Sequence, residues 1–371
     1  MKTETMTTQK SGTTASQEEG TRRGFERIEV IGLTLLGVGL LTLLISPGIL
    51  ANGFDILIQS VQPVVVDVFL TGPVGIAVII SVILGRTFER LGFTDAMMRV
   101  FIPAMRFLKI NPAVIIPSVY NIFADINAAG RISGSILKQA ETTRDEQKIA
   151  VATMVQSQQS FSTFMLGILA LTFAGVNVFA VIIIAIFLPL IISPWLLSLT
   201  IFRDVKNRDL LTMPRFTPTE DFSTMFFKAA KEGVELLLLV LIPAVALVYF
   251  FIGILDYAGI WQPFSGWLEA SLLAINIHPE TGLLSILVSP TLAMGKLQSI
   301  ASSVPPSLVV GSFVLASSGL PLSAVFGQIP VVWAENSDLT EKETIFAVLV
   351  GIFLRFITAF LMAVYLTPLI V

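Results

Sequence analysis

Long apolar runs alternate with short basic clusters along this chain, and the lengths of the runs set the first expectation. From Ile149 to Phe202 there is no Asp, Glu, Lys or Arg, which is room for two membrane-crossing helices of about 20 residues each. Similar runs occupy 28–48, 64–85, 233–255, 307–333 and 344–370, the last with Arg355 inside it. The stretch FERLGFTDAMMRVFIPAMRFLKI, which starts at Phe88, is too charged to cross and reads as an amphipathic segment at the membrane surface. Segments 112–137 and 279–304 are apolar but interrupted by polar residues, Gly and Pro, and read as re-entrant. The predicted fold class is an all-α polytopic membrane protein of about seven transmembrane helices plus two re-entrant hairpins.

Charge supplies the sides. Every Lys and Arg except Lys296, Lys342 and Arg355 lies before position 232, all but Lys2, Lys10 and Arg131 of them in clusters at 22–27, 86–109, 138–148 and 203–231, and none lies between Asp256 and Gly282. The positive-inside rule places the clusters and the N-terminus in the cytoplasm and 256–282 outside, with the protein in the plasma (inner) membrane. Hairpin 112–137 then enters from the cytoplasmic side and 279–304 from the opposite side. Composition agrees: 54% hydrophobic, 13% charged and a mean hydropathy of +0.84, against about 25% charged in soluble domains. The absence of Cys excludes disulfides and thiolate metal sites. With His278 as the only histidine and no nucleophile–base pair in view, the chain does not read as an enzyme. Residues 1–24 read as a disordered cytoplasmic tail, without the apolar run of a signal peptide.

The chain also repeats itself. FERIEVIGLTLLGVGLL from Phe25 resembles KEGVELLLLVLIPAVAL from Lys231, and FLKINPAVIIP from Phe107 resembles LAINIHPETGLL from Leu273. AAGRIS from Ala128 matches AMGKLQS from Ala293, VATMVQSQQSFS from Val151 matches VGSFVLASSGLP from Val310, and FAVIIIAIFL from Phe179 matches FAVLVGIFL from Phe346. The order is the same in both sets, giving a first repeat at 25–202, a cytoplasmic linker at 203–231 and a second repeat at 232–371. The second copy lacks a counterpart of helix 64–85, and one missing crossing inverts everything after it. An inverted-topology repeat is the sequence sign of a secondary transporter, and its broken elements mark the binding site.

Polar residues inside these runs are the candidate chemistry. Thr153, Gln156, Ser157, Ser160, Thr163 and Gly167 follow the spacing of one helix face, with Gln159 at its margin. Such a stripe either lines a cavity or bonds a neighbouring helix. In the second copy Ser317, Ser318 and Pro321 interrupt a span. Asn121, Asp125, Asn127 and Arg131 fall in the first hairpin, where Asn127–Gly130 offers small residues for a tip. Asp125 is a candidate for ion coupling, or a wetted surface group. Arg131 and Lys296 hold matching positions after glycine, and either neutralise an anionic solute or reach to the headgroups. Arg355 has no acid within a helical turn, so its partner must come from elsewhere, with Glu335 and Asp125 as candidates. Trp195, Trp261, Trp267 and Trp333 near span ends fit an interfacial belt.

FERLGF at 88–93, FIPAMRFLKINP from Phe101 and the glycine-bearing polar hairpin that follows resemble the nucleoside-recognition family, also called the Gate domain. The likeness covers most of 85–200 and, more weakly, 255–370. That domain occurs twice in the membrane part of ferrous-iron transporter B and in spore maturation proteins A and B, with distant kinship to concentrative nucleoside transporters. The resemblance implies a helical membrane protein with paired re-entrant hairpins and no particular substrate. Iron transport fits poorly, because AMGKLQS is no phosphate-binding loop and sulfur ligands are missing.

The expected function is secondary transport of a small polar solute, nucleoside-like or anionic, bound between the hairpins by Asn121, Asp125, Asn127, Arg131, Gln156, Gln159, Ser160, Lys296, Ser317 and Ser318. The alternative is a membrane scaffold of the spore-maturation type. The expected partners are the lipid bilayer and the solute, with a homo-oligomer left open and no nucleic acid. No cofactor is expected beyond a coupling ion, H+ or Na+.

Overall fold

The computed structural model describes residues 27–123, 126–206, 215–318 and 321–371, with Pro73 and Asn127 described by their backbone alone. Asp125 therefore lies outside the described residues. Every element among them is a helix. The chain divides into two units, Met1–Asp55 and Ile56–Val371. In the first, α1 (Arg27–Ile45) is an apolar helix with no buried residue. α2 (Pro47–Leu70) starts in the first unit and continues past Asp55 into the second, and the apolar runs do not predict it ahead of residue 64, because Asn52, Asp55, Gln59 and Gln62 dilute its hydropathy.

The second unit is built from α3 (Pro73–Arg90) and α4 (Phe93–Phe107), followed by two sets of the same parts. The first set is a hairpin of α5 (Pro112–Phe123) and α6 (Ile126–Gln139), a helix broken into α7 (Arg144–Gln156) and α8 (Phe161–Phe173), and the long α9 (Val178–Thr200). α10 (Phe222–Tyr257) and α11 (Trp261–Ala274) lead to the second set. This comprises a hairpin of α12 (Pro279–Leu287) and α13 (Pro290–Ile300), a broken helix of α14 (Pro306–Ala316) and α15 (322–336), and the long α16 (Glu341–Ile370). Among the described residues five helices, α1, α2, α9, α10 and α16, are long and apolar enough to cross a membrane, or up to six if the pair α11–α12, bent by 112°, counts as one broken span. The remaining expected spans, 149–173 and 307–333, are the two broken helices, and the 64–85 run is split by Gly72-Pro73. Gly72 is extended, φ −84° and ψ 168°, as the residue before proline prefers.

The two sets are built alike down to the backbone. Each hairpin is entered through a left-handed residue, Lys109 at φ 58° and Asn276 at φ 57°, then a fully buried isoleucine, Ile110 or Ile277, then Asn111-Pro112 or His278-Pro279. Each hairpin returns on itself: Asn111 Nδ2 donates to Ala140 O at 3.3 Å, and Lys296 pairs with Glu280 at 2.9 Å. The copies run in opposite directions. Asn177 N at the start of α9 donates to Ile370 O at the end of α16, 3.0 Å, while Phe202 beyond the end of α9 meets the Phe346 ring near the start of α16. The fold is thus an inverted repeat.

Prolines shape the long helices. The residue ahead of each of Pro189, Pro243, Pro330 and Pro368 donates its N–H to the carbonyl five positions back, for example Leu188 to Ile183. Proline lacks an N–H and clashes with the carbonyl of the preceding turn. A local π-helical stretch relieves the clash without ending the helix.

Two apolar clusters divide the second unit. One joins α3, α8, α12, α13 and α14, and the other joins α4, α5, α6, α7 and α15. Each hairpin therefore shares a core with one half of each broken helix. α16 contributes Ala347 and Val348 to one cluster and Ala359 to the other. Arg355 falls between them. The first hairpin packs closely on α15: a Cβ on Gly130 would lie 2.9 Å from Val332, and one on Gly134 2.8 Å from the Asn336 carbonyl. Trp333, expected at the interface, is instead fully buried there, because Gly130 leaves room for its ring.

Candidate functional site

The polar stripe of 153–167 is not one helix face. α7 stops at Gln156, Ser157 is extended (φ −74°, ψ 166°), and α8 restarts after Ser160. Ser, Asn and Gln side chains that bond nearby backbone groups weaken a helix here. Ser157 Oγ donates back to Met154 O at 2.7 Å, and Ser160 Oγ caps α8 by accepting from Thr163 N. Ser160 has φ 60° and ψ 148°, a region nearly reserved for glycine that costs about 1–3 kcal/mol. The second helix breaks after Ala316, with Ser317 as its cap.

The two breaks cross. Gln159 N donates to Ser317 O at 2.7 Å, joining one break to the other. The first hairpin reaches the same place: Ser160 N donates to Asn121 O at 3.1 Å, and Asn121 Nδ2 donates to Ser157 Oγ at 3.0 Å. From the second hairpin, Thr291 Oγ1 lies 3.1 Å from Thr163 Oγ1 at the start of α8. Four discontinuous elements thus meet around residues 156–160 and 317–318.

Arg355 underlies the crossing. Its guanidinium is fully buried, and its Nε donates to Val314 O at 2.6 Å. Nη1 donates to Gln156 O at 2.9 Å and Ala185 O at 2.8 Å, and Nη2 donates to Ser317 Oγ. Of its two expected partners Glu335 is exposed and Asp125 lies outside the described residues; among the described residues the guanidinium bonds three carbonyls and a hydroxyl. Gln156 Nε2 donates to Gly351 O, and Gly351 lets α7 and α16 approach so closely that a Cβ there would lie 2.6 Å from Ala152 O.

Several buried polar atoms at the crossing have no hydrogen-bond partner among the described residues: Asn121 Oδ1, Gln156 Oε1, Gln158 Oε1, Gln159 Oε1 and Ser318 Oγ. An unmade hydrogen bond in a buried place costs about 1–3 kcal/mol. Their concentration where four elements meet is what a site for a polar ligand requires.

Of the expected site residues, the structure brings together Asn121, Gln156, Gln159, Ser160, Ser317 and Ser318. The backbone of Asn127 lies in the first turn of α6, and Asp125 falls outside the described residues. Asn127–Gly130 is not a tip, because α6 runs unbroken from Ile126 through Gly130. Arg131 is exposed on that helix, which suits a headgroup anchor. Lys296 lies in the second turn of α13, past the Val288–Ser289 bend, and is held by Glu280. Arg355, Gln158 and Thr291 were not among the expected binding residues. The glycine one turn ahead of Arg355 is the only local hint of a close neighbour, and neutral acceptors leave no mark in a sequence.

No protein-family model matches this chain, and no curated protein matches it. Among solved structures the chain is similar to CNTnw, a concentrative nucleoside transporter, in an inward-facing substrate-bound state, with a TM-score of 0.56 and 15% identity over 90% of this chain and 85% of that one. A doubly substituted form of CNTnw in an outward-facing state aligns over the same shares with a TM-score of 0.48 and 13% identity. The chain thus shares the fold of CNTnw.

Proposed function

We propose that this protein is a secondary-type membrane transporter of a small polar solute, held where the two broken helices cross between the hairpin tips. The observation that carries the reading is the group of buried, unpartnered polar atoms on Asn121, Gln156, Gln158, Gln159 and Ser318. Hydrocarbon offers such atoms nothing, so they require a polar guest. The inverted repeat supports the same reading, since broken helices at matching places supply both sides of a site near the middle of the membrane. The transporter fold of CNTnw supports it at the level of architecture. Membership of the Gate-domain family is part of this proposal and rests on FERLGF, FIPAMRFLKINP and the paired hairpins. Asp125 is the proposed coupling carboxylate, since an acid carried into a membrane segment commonly serves cation or proton coupling.

The test is uptake of a radiolabelled solute panel into proteoliposomes, with and without pH and sodium gradients. Wild-type protein should accumulate at least one polar solute. Gln156→Ala and Asn121→Ala should cut uptake about tenfold each, the effect of losing roughly 1.4 kcal/mol of binding. Asp125→Asn should remove the response to the gradient. Folded wild-type protein that moves no solute overturns the reading and leaves the scaffold alternative.

A further inference from the structure

Helices α9 and α16 are copies of one another that run antiparallel, so the repeat predicts two like ends where they meet. At one end Asn177 N donates to Ile370 O at 3.0 Å. In the match of FAVIIIAIFL with FAVLVGIFL, Thr344 is the counterpart of Asn177 and Arg203 that of Ile370. No hydrogen bond joins this second pair among the described residues. α16 starts a turn earlier than its copy, at Glu341, and Thr344 N is taken by Thr340 O at 3.0 Å. The second end therefore stays apart, and a cavity of about 410 Å³ lies between the helices there.

Leu196 and Ile201 of α9 and Phe346, Leu349, Phe353 and Leu354 of α16 are among its walls, and Thr200 is the one lining residue with a polar side chain. The Thr200 hydroxyl is spent on Leu196 O at 2.6 Å, so the walls offer a guest only apolar contact. From Phe346 to Leu354 the cavity follows about 12 Å of helix. Ile201, Phe346 and Phe353 are each at least half exposed, so it opens sideways, toward hydrocarbon, and not into the protein.

Its polar end carries two cations. Arg203 Nε donates to Thr200 O at 2.9 Å, which holds the exposed guanidinium beside the α9 wall. Lys342, exposed in the first turn of α16, shares a helix face with Phe346, Leu349 and Phe353. Neither forms a salt bridge among the described residues. The nearby acids are otherwise engaged or turned aside: Glu343 takes Arg144 and Lys148, Asp145 takes Lys148, and Glu341 stands about 100° around α16 from the Lys342 row. Asp204, exposed next to Arg203, is the acid that opposes an anion here.

We propose that this cavity binds an anionic phospholipid, with an acyl chain between α9 and α16 and the phosphate between Arg203 and Lys342. A dry apolar slot calls for hydrocarbon and the paired cations for an anion, and a phospholipid carries both. The site stands apart from the crossing and does not depend on transport.

The experiment is native mass spectrometry of the purified full-length protein in detergent, titrated with phosphatidylglycerol or with phosphatidylcholine of the same chains. Phosphatidylglycerol should bind the wild type more than tenfold more tightly. Arg203→Gln and Lys342→Gln should each weaken it about fivefold, and the double variant should bring it to the level of phosphatidylcholine. Asp204→Asn should tighten it, and Leu349→Trp, which fills the slot, should abolish the preference. Equal binding of the two lipids by the wild type, or a preference that survives the double variant or Leu349→Trp, overturns the proposal. Glycerol phosphate, which has no chains, should not compete. Full competition by it would make this a site for free phosphate esters and overturn the lipid. A dimer that Leu349→Trp dissociates, with no lipid preference, would assign the slot to a second copy instead.

Discussion

Two arginines, Arg86 and Arg355, are held in opposite ways. Arg86, on α3, is partly exposed, bonds Glu89 at 2.7 Å and reaches Glu232 on α10. Arg355, on α16, is fully buried and among the described residues bonds only neutral oxygens. The first is an ion pair that fastens one helix to another near the membrane surface. In the second, a charge has been taken out of water without an opposite charge among the described residues, an arrangement that costs several kcal/mol and is kept where it is used. The contrast separates a charge that fastens from a charge that is held in readiness.

The largest break of this comparison is Arg355→Ala. It strands acceptors on α7, α9 and α14 at once and should destabilise the fold by about 3–5 kcal/mol, read as a fall in Tm or loss of monodisperse protein. Arg86→Gln leaves Glu89 buried without its cation but Glu232 still in contact with water, and should cost less, about 1–2 kcal/mol. Equal losses at the two sites would erase the distinction. Ser160→Gly relieves a strained backbone but gives up a helix cap. Its Tm should therefore fall less than that of Ser160→Ala, which loses the cap and keeps the strain. The reverse order would mean that the strain is slight.

The smallest effect concerns a carboxylate outside the spans. Burial opposes ionisation of Asp95, but the Thr217 hydroxyl and the Phe216 and Thr217 amides outweigh it and hold its pKa below the usual value. A depressed carboxylate stabilises the fold above the unfolded pKa, about 3.9, and that share is lost as pH falls through the lower folded value. Asp95→Asn should therefore flatten the fall in Tm below about pH 4, and an unchanged profile would count against the contact.

Much of the architecture was legible in the sequence, because apolar run length is a one-dimensional record of a bilayer. The repeat was legible too, down to the Ile-Asn-Pro and Ile-His-Pro hairpin entrances. The break at Ser157–Ser160 was not. Thr153, Gln156, Ser160 and Thr163 keep helical spacing whether or not the helix is continuous, and only contacts with Asn121 and Ser317 show that the chain leaves it. α2 was hidden by its polar residues, and Trp333 looked like a belt residue because its distance from Gly130 in the chain conceals their contact. Arg355 was visible as an anomaly but not as a centre, since carbonyl acceptors belong to every residue alike.

The same arginine constrains how the molecule is made. An arginine near the middle of a helix adds about 2.5–3.5 kcal/mol to membrane insertion, so α16 enters the bilayer at a disadvantage on its own. Its acceptors, on α7, α9 and α14, all precede it in the chain and are available when it leaves the ribosome. α16, synthesised after all three, therefore completes the crossing, locking both helix breaks in place as it arrives.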